Sequence, residues 1–504
     1  MNELKRNLLK FLRENPFPVL TSMWLAIVAV GLFGVALFLP HNSQISGLTT
    51  ASAEEPLVPR AAATSYADVV ERTAPAVVTI RSERRGKMQQ QGAPQMNDPL
   101  QEFFGGRVPN QRQQRPNTQR AMGSGVIVEA NGTILTNNHV VAGADRVRVE
   151  MTDKRTFDAK VVGTDEASDL AVLKVEAANL PVLPLGDSDR VRVGDVVLAI
   201  GNPLGLEQTV TSGIISAKGR STGLSDGSFE DFLQTDAPIN QGNSGGALIS
   251  AGGELIGINS QILSPTGGNI GIGFSIPSNM ARSVMLQLIK DGKVHRGMLG
   301  VGIQNITSEL AANFGLKDVR GVLINSVAKN GAADRAGLRQ GDVIVGFNNA
   351  PIVDGNALRN KVAQTAPGSE INLTVAREGT EQNFKVKLGE FQAVNSGETT
   401  EKNPSSGAPS TGGKLGVELQ NLTPETARRL NLNGAVSGVI VADVEAGSPA
   451  EDAGLSPGDV ILQVNRKNVN SVAEVGTALE VSNGKSVLLY INRRGQSLFL
   501  TVRQ

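Results

Sequence analysis

Gly242-Asn243-Ser244-Gly245-Gly246 is the stretch of this chain best suited to covalent chemistry. Glycines on both sides of a serine let the backbone turn sharply. That exposes the hydroxyl and aims successive N–H groups at one point, where negative charge developing on a carbonyl oxygen is stabilised. An ordinary glycine-rich loop reads the same way, so the chemistry depends on a base. The chain has three histidines, His41, His139 and His295. The pentapeptide also fits the G-x-S-x-G elbow of α/β-hydrolases, whose acid and histidine follow the serine in sequence. Only His295 follows Ser244, in a charged stretch, and the surroundings lack the strand–helix alternation of an α/β sheet. His41 adjoins an apolar amino-terminal run. His139, in Thr136-Asn-Asn-His-Val-Val, is delivered by a polar strand end and is the well-placed base, although a hydrogen-bonded surface histidine would look alike. Eleven aspartates lie between His139 and Ser244, so position alone does not select the third member. Asp169 is preferred because it opens Asp169-Leu-Ala-Val-Leu-Lys-Val, which reads as a buried strand. A carboxylate there would fix the imidazole tautomer and stabilise the imidazolium. The alternative is an aspartate in a turn before a strand.

Short β-like runs must position these groups: Ala76–Ile80, Gly125–Val128, Thr133–Thr136, Arg146–Glu150 and Leu170–Val175, then Val196–Ile200, Thr209–Ile215, Ala247–Ile249, Glu254–Ile258 and Gly271–Ile276. With 57 glycines and few aromatic residues, this spacing predicts a barrel or sandwich. One helix is expected over Pro277–Lys290. A Gln-, Pro- and Asn-rich insertion, about 84–120, carries Phe103 and Phe104 and reads as a lid or a disordered loop. The chain has no cysteine, which excludes disulfides, thiolate nucleophiles and thiolate metal sites; no metal or cofactor is expected. Its 48 basic and 48 acidic side chains give no hint of a nucleic-acid groove.

At the amino terminus, Lys5, Arg6, Lys10 and Arg13 precede an uncharged run, Val19–Leu39, long enough to cross a bilayer as a helix. The body of the protein should therefore be exported. A cleaved signal peptide is the rival, with Ala51-Ser52-Ala53 as its site. The last two hundred residues or so contain a repeat. Leu299-Gly-Val-Gly-Ile303 returns as Leu415-Gly-Val-Glu-Leu419, and Ala336-Gly-Leu-Arg-Gln-Gly-Asp-Val-Ile344 as Ala453-Gly-Leu-Ser-Pro-Gly-Asp-Val-Ile461. The near-constant offset is far longer than the ~20–50 residues of solenoid units, so the copies are whole domains. Between them a Ser-, Thr-, Gly- and Pro-rich stretch reads as a flexible tether. In each copy a glycine between apolar residues lets N–H groups converge on a carboxylate while a strand edge accepts an extended peptide. A small β domain serving only assembly is the alternative.

The order His139, Asp169, Ser244 resembles the trypsin-like serine proteases. With two repeats behind it, the chain resembles the HtrA/Deg family of Do-type periplasmic serine endoproteases. The resemblance rests on the His139 and Asp169 motifs together with Gly201-Asn-Pro-Leu-Gly-Leu-Glu-Gln-Thr-Val-Thr-Ser-Gly-Ile214, Thr235-Asp-Ala-Pro-Ile-Asn-Gln-Gly-Asn-Ser244-Gly-Gly-Ala-Leu and Gly268-Asn-Ile-Gly-Ile-Gly-Phe-Ser-Ile-Pro277. It implies a mainly β fold: a trypsin-like double β-barrel followed by two PDZ domains, with an N-terminal transmembrane helix. The corresponding divisions are 1–40 anchor, 41–64 linker, 65–292 protease, 293–392 first PDZ domain, 393–413 flexible linker and 414–504 second PDZ domain. It further implies Ser244 as nucleophile, His139 as base then acid, Asp169 as orienting acid, and the amides of Gly242, Asn243 and Ser244 as oxyanion hole. Loops at the insertion, at Gly219–Phe232 and at Gln261–Ile272 would be regulatory. Ile270, Gly271 and Ile272 would line a pocket for small aliphatic side chains, and Leu299–Val301 and Leu415–Val417 would be carboxylate loops. Many secreted trypsin-like enzymes carry a cysteine directly after the histidine; Val140 stands here. The implied function is degradation of misfolded or damaged exported proteins in the periplasm by trimers, or multiples of trimers, joined through the protease domains. A peptide-binding chaperone that seldom cuts is the alternative.

Overall fold

A computed structural model describes residues 65–85, 118–202, 208–223, 229–265, 267–316, 318–391, 410–412, 415–429, 437–480 and 486–503. The run Val19–Leu39, His41, Phe103 and Phe104 lie outside these residues. Among the described residues no helix is long and apolar enough to cross a membrane.

Twelve short strands close into two antiparallel barrels of the same strand order. The first comprises β1 (Val77–Arg85), β2 (Thr118–Glu129), β3 (Thr133–Thr136), β4 (Arg146–Glu150), β5 (Thr156–Asp165) and β6 (Leu170–Val175), in the order β1-β2-β3-β6-β5-β4. The second comprises β7 (Val196–Gly201), β8 (Thr209–Arg220), β9 (Phe232–Thr235), β10 (Ala247–Ser250), β11 (Leu255–Ile262) and β12 (Gly273–Pro277), in the order β10-β11-β12-β9-β8-β7. Closure satisfies every edge by pairing, which suits a chain without cysteine cross-links. Most strands fall on the expected apolar runs, but β5 and β9 do not. Along β5 exposed and half-buried residues alternate, with Asp158 and Lys160 between apolar neighbours, and pairing to β4 and β6 makes it a strand. The β1–β2 hairpin also reaches into the polar insertion, with Arg84 opposite Gln119 and Arg85 opposite Thr118.

The helix Ser278–Asp291 packs across both barrels. It buries Met280, Ala281, Val284, Met285 and Leu288 on one face and ends at Gly292, whose φ of 69° no branched residue would adopt readily. These side chains share one core with Val126 and Leu135 of the first barrel and Leu198 and Ile200 of the second. That common core holds the barrels at a fixed relative position, which any site drawing on both requires.

The two repeats fold as matching small sheets. In the first, Val301–Asn305 pairs with Val322–Val327; in the second, Val417–Asn421 pairs with Val439–Val444, with the register shift at the corresponding place. The recurring Gly-Asp-Val-Ile serves packing. Asp342 and Asp459 are buried, and each takes two bonds of 2.7 Å from an arginine on a later strand, Arg377 and Arg493. The repeats also dock on one another. Phe314, Leu323 and Val343 of the first form a cluster with Leu488 and Phe499 of the second, and the Gln304 side chain pairs with the Phe499 backbone at 2.8 and 2.9 Å.

Candidate active site

Strand β3 ends at Thr136, and the chain passes through Asn137 into the one-turn helix Asn138–Val141, which carries His139. A short 3₁₀ turn, Glu166–Ser168, delivers Asp169 at the start of β6. Asp169 is left-handed, with φ 53°, a conformation that aspartate tolerates better than most residues. Its carboxylate accepts the backbone N–H of His139 at 3.0 Å, lies 2.8 Å from His139 Nδ1, and accepts the Ser260 hydroxyl at 3.0 Å. Its carbonyl accepts the Asn138 N–H and the Asn137 side-chain amide at 3.1 and 3.0 Å. One residue thus fixes both the ring and the helix that carries it. With Nδ1 turned to the carboxylate, Nε2 is the proton-accepting nitrogen.

Ser244 lies in the turn between β9 and β10, where Gly242 and Gly245 hold φ of 97° and 82°. Ser124, on β2 of the other barrel, grips this turn: its hydroxyl donates to the Gly242 carbonyl at 2.7 Å and its N–H to the Ser244 carbonyl at 2.8 Å. The fit leaves no room for side chains. A Cβ on Gly245 would come within 2.1 Å of the Ser124 carbonyl oxygen, and one on Gly123 within 2.7 Å of Val140 and 3.2 Å of the Ser244 carbonyl oxygen. The glycines therefore do more than free the turn, since they let the histidine helix, β2 and the serine turn close on one another.

The expected oxyanion set needs one correction. The N–H of Asn243 donates to the Asn240 carbonyl at 3.0 Å, so it points away from any bound carbonyl. Among the described residues no protein acceptor takes the N–H of Gly242 or Ser244. Ile272 packs against the common core, Ile270 is 55% exposed, and Gly271 has φ 85°. His295 is bound elsewhere, its Nδ1 lying 2.7 Å from Glu390 Oε1. In the carboxylate loops Leu299 and Leu415 are buried and Gly300 and Gly416 are left-handed, at 77° and 70°. The Leu299 and Gly300 carbonyls accept the Ala333 and Ala328 amides, both at 2.9 Å. Peptide planarity then turns the N–H groups of Gly300 and Val301 to the opposite side.

Ser260, Ser124 and Asn137 escape a reading of motifs. A polar Asn259-Ser260 pair inside the apolar strand β11 is the one sequence signal that bears on Ser260, because buried polar groups need partners. Loss of the Ser260 bond leaves the Asp169 carboxylate with its two His139 contacts. Ser260→Ala is therefore expected to lower kcat/KM by about tenfold, the worth of one bond to a charged group, without loss of folding. Steady-state kinetics and circular dichroism on the variant check this.

The first repeat meets the protease fold close behind Asp169. Arg296 is buried, pairs with Asp165 and lies 4.6 Å over the Phe229 ring. Asn356 and Asn360, on the helix Gly355–Gln364, donate to the Glu230 carbonyl, and the Phe229 N–H donates to the Ala167 carbonyl at 2.8 Å. Beside them Asp231 lines a cleft with Asp189 and Asn360. Burial raises its pKa, and the nearby Asp189 adds to this. A carboxyl raised on folding contributes stability below its unfolded pKa and loses it as pH rises through the folded value. Asp231→Asn should therefore raise the apparent Tm at pH 7.5, by about 1–3 °C, and have no such effect near pH 3. Thermal melts at the two pH values measure it.

Two packed barrels, one presenting a glycine-framed serine and the other a histidine held by a carboxylate, define a trypsin-like serine protease. A trypsin-like peptidase domain model matches residues 123–258, and PDZ domain models match 297–388 and 440–493. The chain is 45% identical over 403 residues to a probable DegP-like periplasmic serine endoprotease of Chlamydia trachomatis, covering 80% of this chain and 78% of the relative. It is 43% identical over 452 residues to one from Hahella chejuensis, covering 87% and 93%. Among solved structures, the HtrA-type protease AlgW with a tripeptide is 43% identical with a TM-score of 0.54, covering 66% of this chain and all of that one. The chain belongs to the DegP-like serine endoproteases of the HtrA type.

Proposed function

We propose that this endoprotease cuts unfolded or damaged exported proteins in the periplasm, with Ser244, His139 and Asp169 as its catalytic groups. The observation that carries the assignment is the Asp169 carboxylate bonded to both the ring and the backbone of His139. Ser244 Oγ attacks the scissile carbonyl while its proton passes to His139 Nε2, and Asp169 steadies the resulting imidazolium. The N–H groups of Gly242 and Ser244 receive the oxyanion. His139 then gives the proton to the leaving amine, and water releases the acyl group by the same steps in reverse.

Ile270, Gly271 and Ile272 form one wall of the pocket for the residue before the cut, which takes small aliphatic side chains. Residues 65–292 are the protease domain, 293–392 the first PDZ domain and 414–504 the second. The Leu299–Val301 and Leu415–Val417 loops receive the carboxylate of a client's C terminus, raising the local concentration of that chain at Ser244. Trimers form through the protease domains, and Val19–Leu39 anchors the chain in the inner membrane. The test is mass spectrometry of the products from a denatured protein. Cuts after Val or Ala, together with an intact amino terminus on protein recovered from membranes, are expected. Binding of the denatured protein with no cleavage at any temperature would favour a chaperone instead.

A further inference from the structure

The two PDZ sheets match strand for strand except at the edge where an extended peptide would add. In the first repeat, Val301–Asn305 is the outermost strand of its sheet on that side. In the second, the equivalent strand Val417–Asn421 is paired again: Ser410–Gly412 runs antiparallel to it, with Ser410 opposite Leu419, Thr411 opposite Glu418 and Gly412 opposite Val417. The helix Val472–Glu480, the other wall of that groove, packs against both strands. Ser410–Gly412 belongs to the Ser-, Thr-, Gly- and Pro-rich segment between the repeats, so it comes from the connection and not from the repeated unit.

Its direction is informative. A peptide captured by its carboxylate lies antiparallel to this strand with its last residue nearest the Leu415–Val417 loop. Gly412, opposite Val417, is the end of the added strand nearest that loop. The connection thus follows the path of a C-terminal ligand and continues into the loop where a ligand would end. The chain enters the first repeat differently: Gly297–Met298 pairs with Gly389–Glu390 and not with Val301–Asn305.

We infer that Ser410–Gly412 is a built-in occupant of the second PDZ groove, which it must leave before a client C terminus can bind there. The inference rests on the proposed peptide-binding role of these grooves. A tethered strand competes at an effective concentration on the order of millimolar. The first groove therefore captures clients at rest, and the second engages only a ligand abundant or tight enough to displace the connection. Three residues contribute few ladder bonds, which keeps the occupant displaceable.

The absence of cysteine from this chain makes a clean test possible. In the full-length Ser244→Ala protein, with Gly300→Val to block the first carboxylate loop, Thr411→Cys and Glu418→Cys are introduced together. Opposite Cα atoms in an antiparallel ladder are about 4.5 or 5.5 Å apart, within disulfide range. The disulfide should form on mild oxidation, and the oxidised protein should bind no fluorescent peptide ending in a free carboxylate. A companion protein without the cysteines, carrying Ser410→Pro and Gly412→Pro, loses two ladder donors. It should bind that peptide at least about tenfold more tightly than the parent with its native connection. Failure of the disulfide to form would overturn the occupancy. A disulfide that forms while the proline variant binds no better than the parent would overturn the inhibitory role, and absence of binding in both would also count against the peptide-binding reading of the second groove. An amidated peptide, expected not to bind, separates carboxylate capture from simple strand addition.

Discussion

Ser244→Ala is expected to lower the cleavage rate of a denatured protein by about 10⁵–10⁶-fold while leaving the fold and client binding intact. The size of the effect follows from what remains. Without Oγ there is no nucleophile, so His139 and Asp169 have no proton to move, and only the amides of Gly242 and Ser244 can still assist water. The backbone of the turn is held by Ser124 and Asn259 through main-chain groups that alanine keeps. The variant should therefore melt with the wild type and bind labelled unfolded substrate with similar affinity. Gel-based cleavage assays with matched thermal melts measure both halves, and proteolysis equal to wild type would reject Ser244 as nucleophile.

The second large effect is expected at Asp169→Asn, with kcat reduced by about 10⁴-fold at unchanged stability. The amide is the same shape, and asparagine tolerates φ 53° as readily as aspartate does. Its oxygen can still accept the His139 N–H, so the helix Asn138–Val141 keeps its anchor. The amide nitrogen then faces Nδ1 and donates to it, which puts the ring proton on Nε2 and leaves no base for Ser244. A loss of only a few-fold would show that Asp169 serves packing alone. Ser260→Ala, which removes a contact without changing the tautomer, should lie far above Asp169→Asn in rate, and that ordering separates positioning from proton chemistry.

The amino-acid sequence exposes the candidate site residues because each type is scarce or specially framed. Three histidines leave one base suited to Ser244, and glycines crowd around that serine because close approach leaves no room for a Cβ. Apolar runs bounded by turns mark most barrel strands for the same reason, since a buried strand shows its burial directly in residue type. Strand β5 was not legible, because its half-exposed alternation becomes a strand only through its neighbours. Nor could it be read that the Asn243 amide is spent on Asn240, that Ser260 braces Asp169 from β11, or that Gly-Asp-Val-Ile recurs to seat a buried arginine–aspartate clamp.

By itself, then, the sequence determined the kind of chemistry, the three groups proposed to perform it and the presence of two copies of one small domain. All of these follow from residue types at local spacing. Only the tertiary structure decided how β2 of one barrel grips the serine turn of the other, how the first repeat buries Arg296 against Asp165, and that the connection at Ser410–Gly412 pairs with Val417–Asn421 while the equivalent strand of the first repeat stays at its sheet edge. Those outcomes depend on contacts between residues far apart in the chain, whose geometry no local pattern encodes.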